Sequence, residues 1–279
     1  MATDVPANAF TDLDRAAPAE AGRLIGALEL MAADPEIQRV REVAFAALHL
    51  EPGQRILDAG AGTGEVARLL ATRLGNDGAI IALDCSEAAI AAAVARDEGT
   101  CVQYRRGDVT ALDFPDGYFD AVRCERVLQH LAEPDTAVAE LARVTRPGGR
   151  VCLVDTDWES AVVDGLPRAL VAAVRAHLLA TVVGQHLDMG RTLRRRLLRA
   201  GLGAVTAVPV ALYFPDPIAA AAVLPMVNSM VPAEAGLIPA HLREDWFGAL
   251  SEAGERGDFL ATLTVWVATA TVEPHPSPR

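Results

Sequence analysis

The stretch Ile56-Leu57-Asp58-Ala59-Gly60-Ala61-Gly62-Thr63-Gly64-Glu65 runs from a short apolar strand through three alternate glycines into a helix over Glu65–Leu74. Glycines at such a turn accept positive φ and let a ligand approach the backbone without meeting a Cβ. The helix behind them offers free N–H groups and a partial positive charge. A dinucleotide fingerprint, G-x-G-x-x-G, would need glycine at position 65, where this chain has Glu65. With Asp58 at the strand end and Glu65 at the helix start, the turn suits a ligand with a cationic group better than a pyrophosphate.

Working outward, Arg55–Ala59, Ala79–Asp84, Val102–Arg106, Ala121–Glu125 and Val151–Asp155 read as short strands, each followed by a helix-length stretch. That alternation predicts an α/β fold with a parallel sheet covered on both faces. Asp84 lies 22 residues beyond Gly62, where a strand-end carboxylate accepts ribose hydroxyls. Gly107-Asp108-Val109 closes the third strand and places Asp108 to accept from an exocyclic amine of adenine. Upstream, Leu24, Ile25, Leu28 and Met31 have helical spacing, and Asp34-Pro35 supplies the N-cap and first-turn proline of a second helix. Downstream, helices are predicted near 167–183 and 189–200. Strands at 204–214 and 261–270 then form an expected antiparallel pair around an inserted cap.

The 279 residues are 51% hydrophobic and 22% charged, enough apolar content for a sizeable core. A net charge of −12 argues against nucleic acid and against an anionic membrane surface as partners. All 25 basic residues are arginine, which excludes Schiff-base chemistry, a lysine base and a P-loop lysine. Cys85, Cys101, Cys124 and Cys152 form no C-x-x-C pair and are expected to be inert core thiols rather than a metal or redox site. Together with an acidic N-terminus lacking a basic n-region, this predicts a cytoplasmic chain. The stretch 1–14 is expected to be mobile and the proline-rich tail 273–279 disordered.

Residues 50–158 carry a specific set of motifs: LDAGAGTGE, the strand-end Asp84, GDV, FDAV, RVLQHL and RPGGRVCLVD. As a set they resemble the class I S-adenosylmethionine-dependent methyltransferases, in the branch of the ubiquinone/menaquinone methyltransferases and natural-product tailoring enzymes. The resemblance implies a Rossmann-like seven-stranded sheet of order 3-2-1-4-5-7-6 with strand 7 antiparallel. It also implies a single domain over 15–272, with a cofactor core at 50–158 and cap segments at 15–50 and 215–256. The implied cofactor is S-adenosylmethionine, released as S-adenosylhomocysteine; since no paired Cys/His spacing indicates a metal, turnover is expected to be metal-independent. Carried over by position, Asp58, Ala59, Gly60 and Gly62 would line the methionine end and Asp84 the ribose. Gly107, Asp108 and Val109 would meet the adenine, and Cys124 and Glu125 would finish the pocket beneath the sulfonium. Cys85 stands where family members often pack an apolar side chain on adenine, and Gln129-His130 replaces a common His-His pair.

For the acceptor, ligands of open α/β sheets sit beyond the carboxyl ends of the strands. That singles out His130 as a base in the right titration range; the plainer alternative is a helix histidine bonded to backbone. Asp155 and Asp157 are expected to point to opposite faces if the strand continues, so that one serves the site and the other caps or pairs with an arginine, with Asp157 favoured for the site. Trp158 is a stacking wall or plain packing. His186 is a surface or capping histidine that, from a lid, would touch the acceptor. Arg191, Arg194, Arg195, Arg196 and Arg199 read as a solvated helix face. The apolar segments 15–50 and 215–256, with Met226, Met230, Trp246 and Phe247, favour a hydrophobic small-molecule acceptor; a homodimer interface is the other use for such faces. Methyl transfer to O, N or C in secondary metabolism is the expected function. The alternatives are a quinone-precursor C-methyltransferase, and a cyclase or non-catalytic member of the same fold.

Overall fold

A computed structural model describes Asp14 and residues 18–75, 77–181 and 186–274. Most of the N-terminal stretch expected to be mobile, and positions 275–279 of the tail, lie outside the described residues. Seven strands form one sheet: β1 (Arg55–Ala59), β2 (Ala79–Asp84), β3 (Val102–Arg106), β4 (Phe119–Glu125), β5 (Thr145–Asp164), β6 (Gly203–Phe214) and β7 (Leu260–Thr271). Their order is β3-β2-β1-β4-β5-β7-β6. β1 to β5 are mutually parallel, and β7 runs antiparallel to both β5 and β6. The strand order reverses between β1 and β4, which opens a crevice at their carboxyl ends.

Alternation along β1 shows why these residues make a buried central strand. Ile56 packs into the core on one face of the sheet and Leu57 into the core on the other, and both are fully buried. The first face is covered by α2 (Pro35–Leu48) and α3 (Glu65–Leu74), with Phe45, Leu48 and Leu70 in that core. The second is covered by α5 (Pro134–Val144) and α7 (Met189–Arg199), through Leu141, Leu193 and Leu197. The predicted cap of α2 is formed as read: Asp34 Oδ1 accepts from Glu36 N at 2.9 Å, with Pro35 in the first turn. α1 (Pro18–Ala33) precedes it, α4 (Glu87–Ala95) follows β2, and α6 (Arg168–Thr181) follows β5. The insert between β6 and β7 holds α8 (Pro217–Ala221) and α9 (Arg243–Arg256).

Two readings need correction. β5 does not stop near Asp155 but continues to Asp164, because antiparallel β7 supplies ladder partners as far as Asp164 opposite Leu260, across a register shift between Asp157 and Val162. The four thiols are free but not all in the core. Cys124 and Cys152 are buried, Cys101 is half-buried, and Cys85 is exposed because β2 ends just before it.

Candidate active site

The turn after β1 is tied to β2 by Gly60 N and Ala61 N, which both donate to Leu83 O, at 2.7 and 3.0 Å. Gly60 and Gly62 both have positive φ, yet they serve different ends. A Cβ on Gly60 would fall 2.1 Å from Val127 Cγ2, so this glycine admits a neighbouring side chain rather than a ligand. Among the described residues a Cβ on Gly62 would meet nothing within 4 Å, so the loop is open to them there. Gly107 resembles Gly60, since its missing side chain is replaced by Leu83 Cδ1 at 2.8 Å.

Asp84 is fixed by backbone: Gly62 N donates to Oδ2 at 2.8 Å and Ser86 N to Oδ1 at 2.9 Å. Each oxygen keeps a lone pair for a further donor. Burial pushes the Asp84 carboxyl up, and the two N–H bonds oppose that. Asp14, assigned to the mobile stretch from sequence, is instead docked beside it. It accepts from Ser86 Oγ at 2.6 Å and from Glu87 N and Ala88 N at 3.0 Å, at the start of α4. Asp108 accepts from Thr110 N at 2.8 Å and Thr110 Oγ1 at 2.7 Å, which holds it in an exposed turn ahead of buried Val109. Ala59 and Cys124 are core residues whose side chains face away from solvent.

Under the glycine turn lies a buried charge network that the sequence reading missed. Arg123 Nη1 donates to Asp58 Oδ1 at 2.9 Å, and its Nη2 pairs with Glu125. Arg41, from α2, joins Glu125 Oε1 at 3.4 Å to Glu65 Oε2 at 2.9 Å. Burial pushes the Glu125 carboxyl up, but the guanidiniums of Arg123, Arg41 and Arg126 outweigh it and hold it at about 2. Asp58 goes the other way: burial raises it despite Arg123. Its Oδ2 is buried with no hydrogen-bond partner.

Beyond β4, Leu128–His130 forms a short 3₁₀ turn. Burial and the charge of Arg126 push the His130 imidazole down to about 4, so it is neutral near pH 7. Gln129 is the hub of this turn. Its N–H donates to Asp155 Oδ2 at 3.2 Å and its Oε1 accepts from Trp158 Nε1 at 2.8 Å. Burial pushes the Asp155 carboxyl up to about 7, against the N–H bonds from Thr156 and Gln129. The expectation of opposite faces needs correction, because two positions apart on a regular strand Asp155 and Asp157 share a face. Asp157 is nonetheless taken up by α7: Arg191 Nε donates to its Oδ2 at 2.6 Å and Nη2 pairs with Oδ1. Asp155 thus lies at the loop that carries His130, and Asp157, the one favoured for the site from sequence, is the one on an arginine. His186 Nε2 donates to Leu131 O at 3.1 Å, which brings it to the same loop. Arg196, from the run read as solvated, is buried and pairs with Asp135 at 2.5 Å.

Trp158 also walls a small apolar cavity of about 40 Å³, lined by Val174, Leu178, Leu187, Met226 and Trp246 among others. The cavity exists because β5 runs on past Asp155 and α6 and the β6–β7 insert fold over it. Among the described residues no group of His, Cys, Asp and Glu is arranged to hold a metal ion, and no helix is long and apolar enough to cross a membrane.

The orphaned Asp58 Oδ2, the open side of Gly62 and the backbone-fixed Asp84 fit the ammonium, backbone-facing and ribose parts of a nucleoside–amino-acid cofactor. Residues 57–153 match the model of a methyltransferase domain. An uncharacterized 37.1 kDa protein in transposon Tn4556 of Streptomyces fradiae is 33% identical over 249 residues, covering 88% of this chain and 71% of that protein. The 2-phytyl-1,4-naphtoquinone methyltransferase of Synechococcus elongatus is 35% identical over 109 residues, 38% of this chain and 47% of its own length, so the chain spans about half of that relative. Among solved structures, phosphoethanolamine N-methyltransferase 2 of Haemonchus contortus superposes with a TM-score of 0.60 at 18% identity, over 95% of this chain and 60% of that one, and shows the shared fold.

Proposed function

This chain belongs to the class I S-adenosylmethionine-dependent methyltransferases, and from that premise we propose that it methylates an O, N or C atom of a hydrophobic small molecule in natural-product tailoring, in the cytoplasm. When bound, S-adenosylmethionine supplies an electrophilic methyl on a sulfonium that departs as a neutral thioether. Asp84 would hold the ribose, Asp58 the methionine end beside Gly62, and Asp108 with Val109 and Cys85 the adenine.

The acceptor class rests on one observation: the apolar cavity behind Trp158 is joined, through the indole bond to Gln129, to the turn that carries His130. The segments 15–50 and 215–256 are the caps of this reading, and Met226 and Trp246 line the cavity from the second of them. Displacement at a sulfonium needs alignment, exclusion of water and, for a hydroxyl or amine, removal of a proton. His130, neutral near pH 7, takes that proton. Asp155 fixes Gln129 and thereby Trp158, and so positions the turn. Asp157 is assigned to the Arg191 pair rather than to the acceptor.

Thermal unfolding with S-adenosylmethionine, S-adenosylhomocysteine and NAD in parallel tests the cofactor first. A ligand at 100 times its Kd adds about 2.7 kcal/mol, a shift of several degrees. Stabilisation by the first two and not by NAD is expected. Turnover is then followed as S-adenosylhomocysteine release with a panel of apolar phenols, amines and quinols, against an oligonucleotide and a protein. Transfer confined to the macromolecules would overturn the acceptor assignment.

A further inference from the structure

The buried network beneath the glycine turn holds three arginines, Arg41, Arg123 and Arg126, against three carboxylates, Asp58, Glu65 and Glu125. Its charge is balanced, but its hydrogen bonding is not. Arg41 gives Nη1 to Glu65 and to Ala32 O, and Nε to Glu125. Arg123 gives Nη1 to Asp58 and Nη2 to Glu125, which leaves its Nε buried without a partner, and its side chain is only 1% exposed. Arg126 is different. Its Nε is 3.6 Å from Glu125 Oε1, too far for a hydrogen bond, and the atom is buried without a partner. Among the described residues its Nη1 meets only the Met31 thioether of α1, a weak acceptor. The Arg126 side chain is 17% exposed, the most open of the three arginines.

Its backbone is also specialised. Arg126 has a φ of +55°, uncommon for a residue with a Cβ, and its N–H is held by Val154 O at 2.7 Å. The fold thus holds the residue in a conformation that local preference disfavours, at the crevice between β1 and β4. The charge of Arg126 is felt by Glu125 and Arg41 on one side and by Asp155 and His130 on the other.

Among the described residues the network therefore has one guanidinium with no hydrogen bond to a carboxylate, Arg126, and one carboxylate oxygen, Asp58 Oδ2, with no donor. A lone anion or a lone cation would satisfy one and upset the charge balance. A zwitterion, with an α-carboxylate and an α-ammonium on one carbon, satisfies both and leaves the network neutral.

We propose that Arg126 reads the α-carboxylate of the methionine half of S-adenosylmethionine, while Asp58 receives its α-ammonium. The proposal rests on the cofactor reading above and adds the residue that recognises the carboxylate. An arginine suits the task because its planar fork can offer paired N–H donors to a carboxylate. The turn after β4 then couples cofactor to acceptor: the same residue that grips the methionine sits four positions before His130.

The test is binding, measured by calorimetry on the full chain, with S-adenosylmethionine, S-adenosylhomocysteine and decarboxylated S-adenosylmethionine. Wild type is expected to bind the two carboxylate-bearing ligands at least about tenfold more tightly than the decarboxylated one, as a charge-assisted bond is lost. Arg126→Gln should weaken those two about 10–100-fold and the decarboxylated ligand less than about threefold, by the same reasoning. Equal weakening of all three, no weakening, or an effect confined to the acceptor KM would overturn the assignment. Arg126→Lys keeps the charge and loses the fork. If Arg126→Gln does not fold, the same selective loss in the lysine variant carries the test, and a uniform change overturns it. Wild type binding none of the three would instead remove the cofactor reading itself, an outcome distinct from failure of Arg126 alone.

Discussion

The indole Nε1 of Trp158 donates a 2.8 Å hydrogen bond to Oε1 of Gln129, and Gln129 N donates to Asp155. Three side chains from β5 and the turn after β4 thereby fix one another, with the apolar cavity behind the indole and His130 next in the chain. Trp158→Phe keeps an aromatic wall and deletes the bond. The expected result is a 5–20-fold loss in acceptor kcat/KM, about 1–2 kcal/mol for an unpaired buried amide oxygen. S-adenosylhomocysteine affinity should be unchanged, because the hydrogen bonds of Trp158 run to Gln129 and Leu187 and not to the residues assigned to the cofactor. Steady-state kinetics beside a binding titration checks both halves.

Asp84 holds the cofactor loop as well as a ligand. Its two oxygens accept from Gly62 N and Ser86 N, so Asp84→Ala removes a ribose acceptor and leaves two N–H groups without their partner. S-adenosylmethionine binding should weaken by roughly 1–3 kcal/mol, about 5–150-fold. Asp84→Asn retains one carbonyl acceptor and should fall between. Unchanged affinity in the alanine variant would remove Asp84 from the site.

The glycine turn after β1 and the strand-end carboxylate Asp84 that braces it were legible because glycine turns and strand ends are marked by local chemistry. The charge network was not. Arg41, Asp58, Glu65 and Arg123 come from four separate elements, and a buried ion pair leaves no periodic trace in any one of them. The pairing of Asp157 with Arg191 was hidden for a similar reason. Only the packing of α7 over β5 brings Arg191 to Asp157, and that contact spans 34 residues. β5 was read nine residues short because its extension depends on pairing with β7, about 100 residues later in the chain, as in the Asp164–Leu260 match. Local pattern finds turns and caps, while the acceptor side is assembled by tertiary contacts.

If His130 removes the acceptor proton, His130→Ala should lower kcat about 10²–10⁴-fold with cofactor affinity retained. The pH profile separates it from Asp155. Burial and Arg126 hold His130 at about 4, so a rate governed by its deprotonated form is flat from pH 6 to 8. Asp155, raised by burial to about 7, would instead give a rising limb centred near pH 7. A rising limb near 7 that survives in His130→Ala and vanishes in Asp155→Asn would transfer the role to the carboxylate.

Asp155 also makes a prediction about stability that needs no substrate. Its carboxyl titrates at about 7 in the folded chain because burial penalises the charge, against an ordinary value of 3.8. A group raised on folding contributes fully at pH below its unfolded value, and the contribution is lost as pH rises to the folded one. Wild type should therefore lose stability between about pH 4 and pH 7 on account of this residue, an effect on the order of 2–4 kcal/mol. His130 works in the opposite sense. Its folded value of about 4 lies below 6.5, so its contribution is present at neutral pH and lost as pH falls from about 6.5 towards 4. The two nearly cancel in the wild-type profile, so the variant is needed to see either. Asp155→Asn mimics the protonated acid at every pH. The difference in melting temperature, variant minus wild type, should rise by several degrees between pH 5 and pH 8, whatever constant offset the amide introduces. A difference independent of pH over that range would mean that Asp155 is ionised throughout and that its bonds from Gln129 and Thr156 outweigh its burial.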